Sequence, residues 1–243
     1  MANHTFNAGK ILPDNILIQK LRQAAKVYQN YADLDVLIVY EPNKGGPFQS
    51  YQFHAGIENF QHLAGIKSPK GAVWFFNKCL DTKDFLKKED IVPKEDLKTA
   101  SAKISVLPEA VDLTKAKAYK FGEKDLITLN NRFHMAIGNK SHIMGFDQRT
   151  YYLPVPVTVM NRSLYDFCTN GFKISLIMTK TVDEKKYSNV FYEITPDILS
   201  KATFGDDILN LIEYIDDSLT SPEEVSEEVF AEVAVTIDSA GDV

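Results

Sequence analysis

The stretch Phe172–Lys180, FKISLIMTK, sets Phe172, Ile174, Leu176 and Met178 in alternation with Lys173, Ser175 and Thr179, and ends on Lys180. A period of two marks a strand with one apolar face. Working outward, Val190 to Ile194 reads as a partner strand. Upstream, Phe133, Met135 and Ile137 alternate with Arg132, His134 and Ala136; GNKS at Gly138 to Ser141 is a tight turn, and His142 to Phe146 returns. Ala118 to Phe121 and Leu126 to Leu129 are further short strands. Tyr151 to Met160 is strand-like, but Pro154 and Pro156 confine it to an edge or a bulge.

Before this strand-rich half the pattern is mostly helical. A helix begins near Asp14, with Leu17, Leu21, Ala24 and Tyr28 on one face. DVLIVY (Asp35 to Tyr40), the turn EPNKGGP and the alternating Phe48 to His54 read as a hairpin. Ile57, Phe60 and Ala64 share a face of a short helix closed by Gly65, and Trp74 to Phe76 mark another apolar segment. Asp81 to Lys98 holds 11 charged residues in 18 and reads as a solvated helix–turn–helix, with Pro93 starting one helix. Ile104 to Ala116 and Asp197 to Ser218 are further helix candidates. Helices first and strands last predict an α+β fold, with helices on one antiparallel sheet. The expected division is an N-terminal helical extension (1–32), an α+β domain (33–195), a C-terminal helix (196–220) and an acidic tail (221–243) without fixed structure.

The 243 residues, 44% hydrophobic and 25% charged, suit a globular chain and exclude collagen-like or wholly disordered classes. Apolar runs are too short for a membrane helix, and the polar start lacks a secretory signal. Two cysteines, Cys79 and Cys168, are too few for a disulfide scaffold, so a cytoplasmic setting is expected. Residues 204–243 carry 12 acidic side chains and no Lys or Arg, which leaves +6 on residues 1–203. A mildly basic body suits a polyanionic partner. Phosphate-loop, dinucleotide, zinc-protease and nucleophile-elbow motifs are missing from the sequence.

The densest polar group is HAGIENFQHLAGIK, His54 to Lys67. Steps of 100° place Glu58 and His62 away from the apolar face, with Asn59 beside them, His54 extending the row and Lys67 just beyond. A carboxylate one turn away favours a charged imidazole, suited to acid–base work near neutrality. An exposed or capping histidine fits the same pattern. A metal site from His54, Glu58 and His62 lacks further ligands nearby, so neither metal nor cofactor is expected. In the strand half, Arg132, His134, His142, Arg149, Tyr151, Tyr152, Asn161, Arg162, Lys173, Ser175, Thr179 and Lys180 could grip phosphates or stack bases, or simply form a solvated sheet face.

At Phe53 to Ile66 the aromatic strand, the ENFxHLxG helix, the later YYLP and the MTK strand together resemble the fourth phage variant of the barnase–EndoU–colicin–RelE-like nucleases, over about residues 33 to 195. The resemblance implies helices on an antiparallel sheet and metal-independent RNA cleavage by 2′-hydroxyl attack. It also implies a phage or mobile-element origin, as a toxin or host-takeover factor in a bacterial cytoplasm. Glu58, Asn59 and His62 are the matching positions, and Lys67 and Lys180 match more loosely. The implied roles are His62 as base or acid, Lys67 or Lys180 as charge for the phosphate and Asn59 as an orienting group. His54, Arg132, His134, Arg149, Tyr151 and Thr179 are the expected substrate contacts. Implied partners are RNA, such as tRNA or mRNA, and an inhibitor protein, without a membrane. A catalytically inactive interaction module on the same fold is the alternative.

Overall fold

Strand β1 (Asp35–Glu41) is buried at every position but its last, as a Val- and Ile-rich run demands when both faces of a sheet are covered. It pairs antiparallel with β2 (Gln49–His54), which forms the expected hairpin, and with β7 (Phe172–Lys180) on its other side. From β7 the sheet continues through β3 (Lys120–Glu123), β4 (Met135–Gly138), β5 (Ile143–Asp147) and β6 (Val155–Met160), while β8 (Asn189–Glu193) also pairs with β7. All eight strands are antiparallel. This computed structural model describes residues 11–84, 86–125, 133–149 and 152–213. The strand expected at Leu126 to Leu129, the end of the helix expected to Ser218 and the acidic tail lie outside them, as do Arg132 and Tyr151.

The two faces of the sheet are covered by different helices. On one, α1 (Asp14–Tyr28), α2 (Ile57–Leu63), α3 (Ala72–Leu80) and α4 (Leu97–Ala110) bury Leu17, Leu21, Tyr28, Phe60, Phe75 and Ile104 against Val36, Ile38, Phe146 and Ile177. Helix α1 therefore shares the main core with the sheet. On the other face, Leu37, Val39, Leu176 and Met178 lie under Ile198, Phe204, Ile208 and Ile212. The covering segment is two short helices, α5 (Ile198–Lys201) and α6 (Asp206–Leu209), and not the single helix expected. The extended backbone of Ala202 and Gly205 interrupts it.

Strand β7 departs from simple alternation. Val39 faces Leu176 while the next residue, Tyr40, faces Ile174, so Ser175 is an extra residue in β7. Such a bulge switches the side chains that follow to the opposite face. Ile174 and Ile177 consequently enter the main core, and Leu176 and Met178 the other. The expected helix–turn–helix over Asp81 to Lys98 is also absent among the described residues, which there hold bends and one short 3₁₀ turn, Lys88–Asp90. Asp81 and Asp90 accept bonds from nearby backbone amides and satisfy them without a helix. Pro93 bridges to Ile66, and α4 instead starts behind Asp96, whose Oδ1 accepts from the Thr99 amide at 2.8 Å. The second half of the Ile104 to Ala116 candidate is a 3₁₀ segment, Leu113–Ala118.

The sheet curls until its outer strands meet. The His54 amide donates to the Pro154 carbonyl at 2.8 Å, and the Phe53 and Phe146 rings lie 4.6 Å apart. Beside this seam, Asp33 Oδ1 accepts from the Ile57 amide and caps α2. Gly65, at φ +70°, ends α2 in the left-handed turn that suits glycine. Among the described residues, no helix is long and apolar enough to cross a membrane.

Candidate active site

Register alone places His54 and Lys180 on either side of Asp35, because both face it from the neighbouring strands. The Asp35 carboxylate is fully buried and takes three donors. His54 Nδ1 is 3.0 Å from Oδ1, Lys180 Nζ is 2.9 Å from Oδ2, and the Tyr152 hydroxyl donates to the same Oδ2. A buried carboxylate is tolerated only with such partners. Lys180 also donates to the Glu184 carbonyl at 2.8 Å and lies over the Tyr187 ring. Tyr187 is buried and donates to Gln52 Oε1 at 3.1 Å. Burial and then the bond to Asp35 push the Tyr152 hydroxyl up to about 12, so it keeps its proton near neutrality.

His54 itself retains 21% of its side-chain exposure. Asp35 holds the ring through Nδ1, so Nε2 is the nitrogen that the carboxylate does not hold. A carboxylate-oriented imidazole of this kind is the usual form of a general base.

His62 lies in a different setting. It and Glu58 are exposed on a strip of α2, whereas Asn59 is buried beneath, with its Nδ2 unpartnered. Asn59 is thus not beside them as the helical steps suggested, because α2 packs between α3 and β6 and only a narrow strip stays open. Partial burial lowers the His62 pKa, and Lys94, Arg149 and Lys103 lower it further against the opposing effect of Glu58. The direction is therefore opposite to the one expected from Glu58 alone: burial first, and then cations from distant segments, disfavour the charged imidazole.

The segment between β5 and β6 connects the two settings. It brings Tyr152 to Asp35 and Arg149 to the surroundings of His62. Arg149 Nε is 3.6 Å from Asp147, whose other oxygen meets His134 Nδ1 at 2.8 Å. Lys103 Nζ is 3.4 Å from the Thr158 hydroxyl. Lys67 is exposed, its amide donates to the Val92 carbonyl, and no side-chain hydrogen bond joins it to another candidate among the described residues. Thr179 is fully buried and accepts from Asn189 Nδ2. His142 is not with His134 but at the turn end of the β4–β5 hairpin. Cys79 and Cys168 are buried free thiols, their pKa raised by burial.

Asp35, Lys94 and Lys103 were not singled out from the sequence, and Tyr152 was named there only as a residue able to stack a base or grip a phosphate. Of the first three, only Asp35 left a signal there, as the one charge at the head of an otherwise apolar strand.

A sheet carrying a His–Asp pair, a lysine and a tyrosine, flanked by cations, has the groups that phosphodiester cleavage needs. Residues 20–195 match the model of a family described as phage-Barnase-EndoU-ColicinE5/D-RelE like nuclease4. The chain belongs to this nuclease family. No curated protein and no solved structure matches it. The family implies a nucleic-acid substrate.

Proposed function

We propose that this nuclease cleaves RNA without a metal ion, by attack of the 2′-hydroxyl on the adjacent phosphate. The observation that supports it best is the Asp35–His54 pair with Lys180 and Tyr152 gathered on the same carboxylate. In this reading the free nitrogen of His54 removes the 2′-hydroxyl proton while Asp35 steadies the imidazolium that forms. The new oxygen–phosphorus bond closes a cyclic phosphate as the bond to the 5′-oxygen breaks. The Tyr152 hydroxyl, released from Asp35 Oδ2 as it turns toward the leaving oxygen, gives that oxygen its proton, and Lys180, on the same Oδ2, offsets the negative charge that the phenolate adds beside the carboxylate. Asp35 already accepts three hydrogen bonds, so it has little capacity left as a metal ligand.

Arg149, Lys94 and Lys103, around a neutral His62, hold the neighbouring phosphates. Glu58 restrains that group, and Asn59 supports α2 from beneath. His134, through Asp147, orients Arg149. An RNase of this kind would act in a bacterial cytoplasm on tRNA or mRNA, and its producer would need an inhibitor protein.

The test is incubation of the full chain with total RNA in EDTA. New 5′-hydroxyl and cyclic-phosphate ends are expected. Cleavage abolished by EDTA and restored by a divalent ion would reject the mechanism. RNA binding without any cleavage would leave an interaction module.

A further inference from the structure

At the end of the sheet opposite Asp35, strand register sets two lysines side by side. Lys120 of β3 faces Lys173 of β7, and on its other side it faces Gly138, two residues before Lys140 in the β4–β5 turn. The Asn139 carbonyl of that turn accepts from the Leu164 amide at 2.8 Å, which brings Tyr165 alongside. A side chain on Gly171 would meet Lys120 Cβ at 3.1 Å and Tyr165 Oη at 3.2 Å, so these two residues flank one spot. Lys140, Lys173 and Tyr165 are exposed, Tyr165 to 49%, and Lys120 is half-buried.

Like charges directly opposite one another on a sheet repel. Among the described residues nothing offsets these: Lys120, Lys140 and Lys173 make no ion pair and no side-chain hydrogen bond. Glu41 stands opposite Lys173, but its Oε1 accepts from the Gly45 amide, and Asp166 is engaged by Arg162 at 3.1 Å. Register also fixes the face. Asp35, Leu37, Val39 and Glu41 alternate onto one face of β1, and Lys180 and Lys173 lie opposite the first and the last of them. Lys173 therefore shares the face that carries the Asp35 cluster, while Tyr40, Phe121 and Phe172 pack together on the other. From Lys173 to Lys180 is about 23 Å at strand spacing.

We infer that Lys120, Lys140, Lys173 and Tyr165 form a second RNA site, which holds the strand away from the point of cleavage. The inference rests on the RNA substrate proposed above. Unpaired lysines beside an exposed aromatic ring suit single-stranded RNA, the ammonium groups meeting phosphates and the ring stacking a base. A stacked strand advancing ~3.4 Å per nucleotide needs roughly seven nucleotides to reach from Lys180 to Lys173. The substrate class is thus RNA longer than this, in preference to short oligonucleotides.

Binding of a twenty-nucleotide uridine RNA to the full chain carrying His54→Ala tests this without cleavage. Lys120→Gln with Lys173→Gln should weaken it at least about 5-fold and lower the slope of log K against log salt by about 1.4, for two contacts at ~0.7 each. Tyr165→Ala should also weaken it at least about 5-fold, the usual worth of a stacked base. The control is Lys20→Gln with Lys26→Gln, an equal charge change on α1, which covers the opposite face. It should cost less than about 2-fold, because salt screens charges outside the binding path. Equal losses in the two lysine pairs, or no RNA binding at all, would overturn the inference. In the cleaving chain, the Lys120 and Lys173 pair should raise KM for the long RNA and leave kcat/KM for a dinucleotide unchanged. An equal loss on the dinucleotide would overturn the separation of the two sites. A chain that binds RNA through these residues yet cleaves none would refute the cleavage reading and leave this site standing.

Discussion

His54 and His62 are separated by one turn of chain and a short helix, yet their surroundings are opposite. His54 ends a strand and leans on a fully buried carboxylate. His62 stands on an open helix strip among Lys94, Lys103 and Arg149. One imidazole is oriented and its ring nitrogens are made unequal. The other is kept neutral and surrounded by positive charge. Proton transfer needs the first arrangement, and holding a polyanion needs the second. Proximity in sequence says little about which role a histidine takes. The element that ends beneath it says much more.

The sharpest way to break this comparison is to remove Asp35. Asp35→Ala leaves Lys180 in a largely buried position without its carboxylate, which costs about 3–5 kcal/mol for a broken buried pair. Chemical denaturation should show it, and the double change Asp35→Ala with Lys180→Met should recover part of the loss. Full stability in the single variant would mean that the pair is not the keystone of this edge of the sheet.

Next in size, His54→Ala should slow RNA cleavage at least about 100-fold, the usual worth of a positioned base. His62→Ala should change the rate constant little and raise KM by roughly 3- to 10-fold, as expected when ground-state binding is lost. Reversed results would exchange the two roles. Arg149→Ala should act like His62→Ala and flatten the salt dependence of RNA binding by about one phosphate contact.

The β1–β2 hairpin, α1, the β4–β5 turn and the β7–β8 pairing were all legible, because each rests on local periodicity and turn residues. The bulge at Ser175 was not, since an extra residue in β7 is defined only against the register of β1, well over 100 residues earlier. The placing of Pro154 and Pro156 was readable from chemistry: β6 ends the strand order, and Pro156 faces Phe146 at a register shift. The site was half legible. His54 and Lys180 were named, but Asp35, which joins them, looked like one more strand residue, and its partners become visible only once three strands are aligned. The electrostatics of His62 failed from sequence for the same reason. Glu58 is its neighbour in the chain, whereas the packing that partly buries the ring and the cations around it arrive from elsewhere.

The smallest effect expected concerns His142. Burial lowers its pKa, so below 6.5 the unfolded chain binds more protons than the folded one. This group's contribution is complete above about pH 6.5 and is lost as pH falls through that value toward the folded one. His142→Phe should flatten the acid side of a melting-temperature profile in that window, with little change at pH 8. His62→Phe, on its exposed strip, should flatten it less.

Strand β7 sits between β1 and β3 at the middle of the sheet, although it is among the last strands in the sequence. Tyr152 follows Asp35 by 117 positions, and Lys180 comes later still. A ribosome adding about 5–20 residues per second needs roughly 6–23 s to cover the first interval. During that time the nascent chain has its hairpin and first helices but no complete Asp35 cluster. Whatever that cluster does is withheld from the translating ribosome and its message until Lys180 has been added, a delay set by strand order alone.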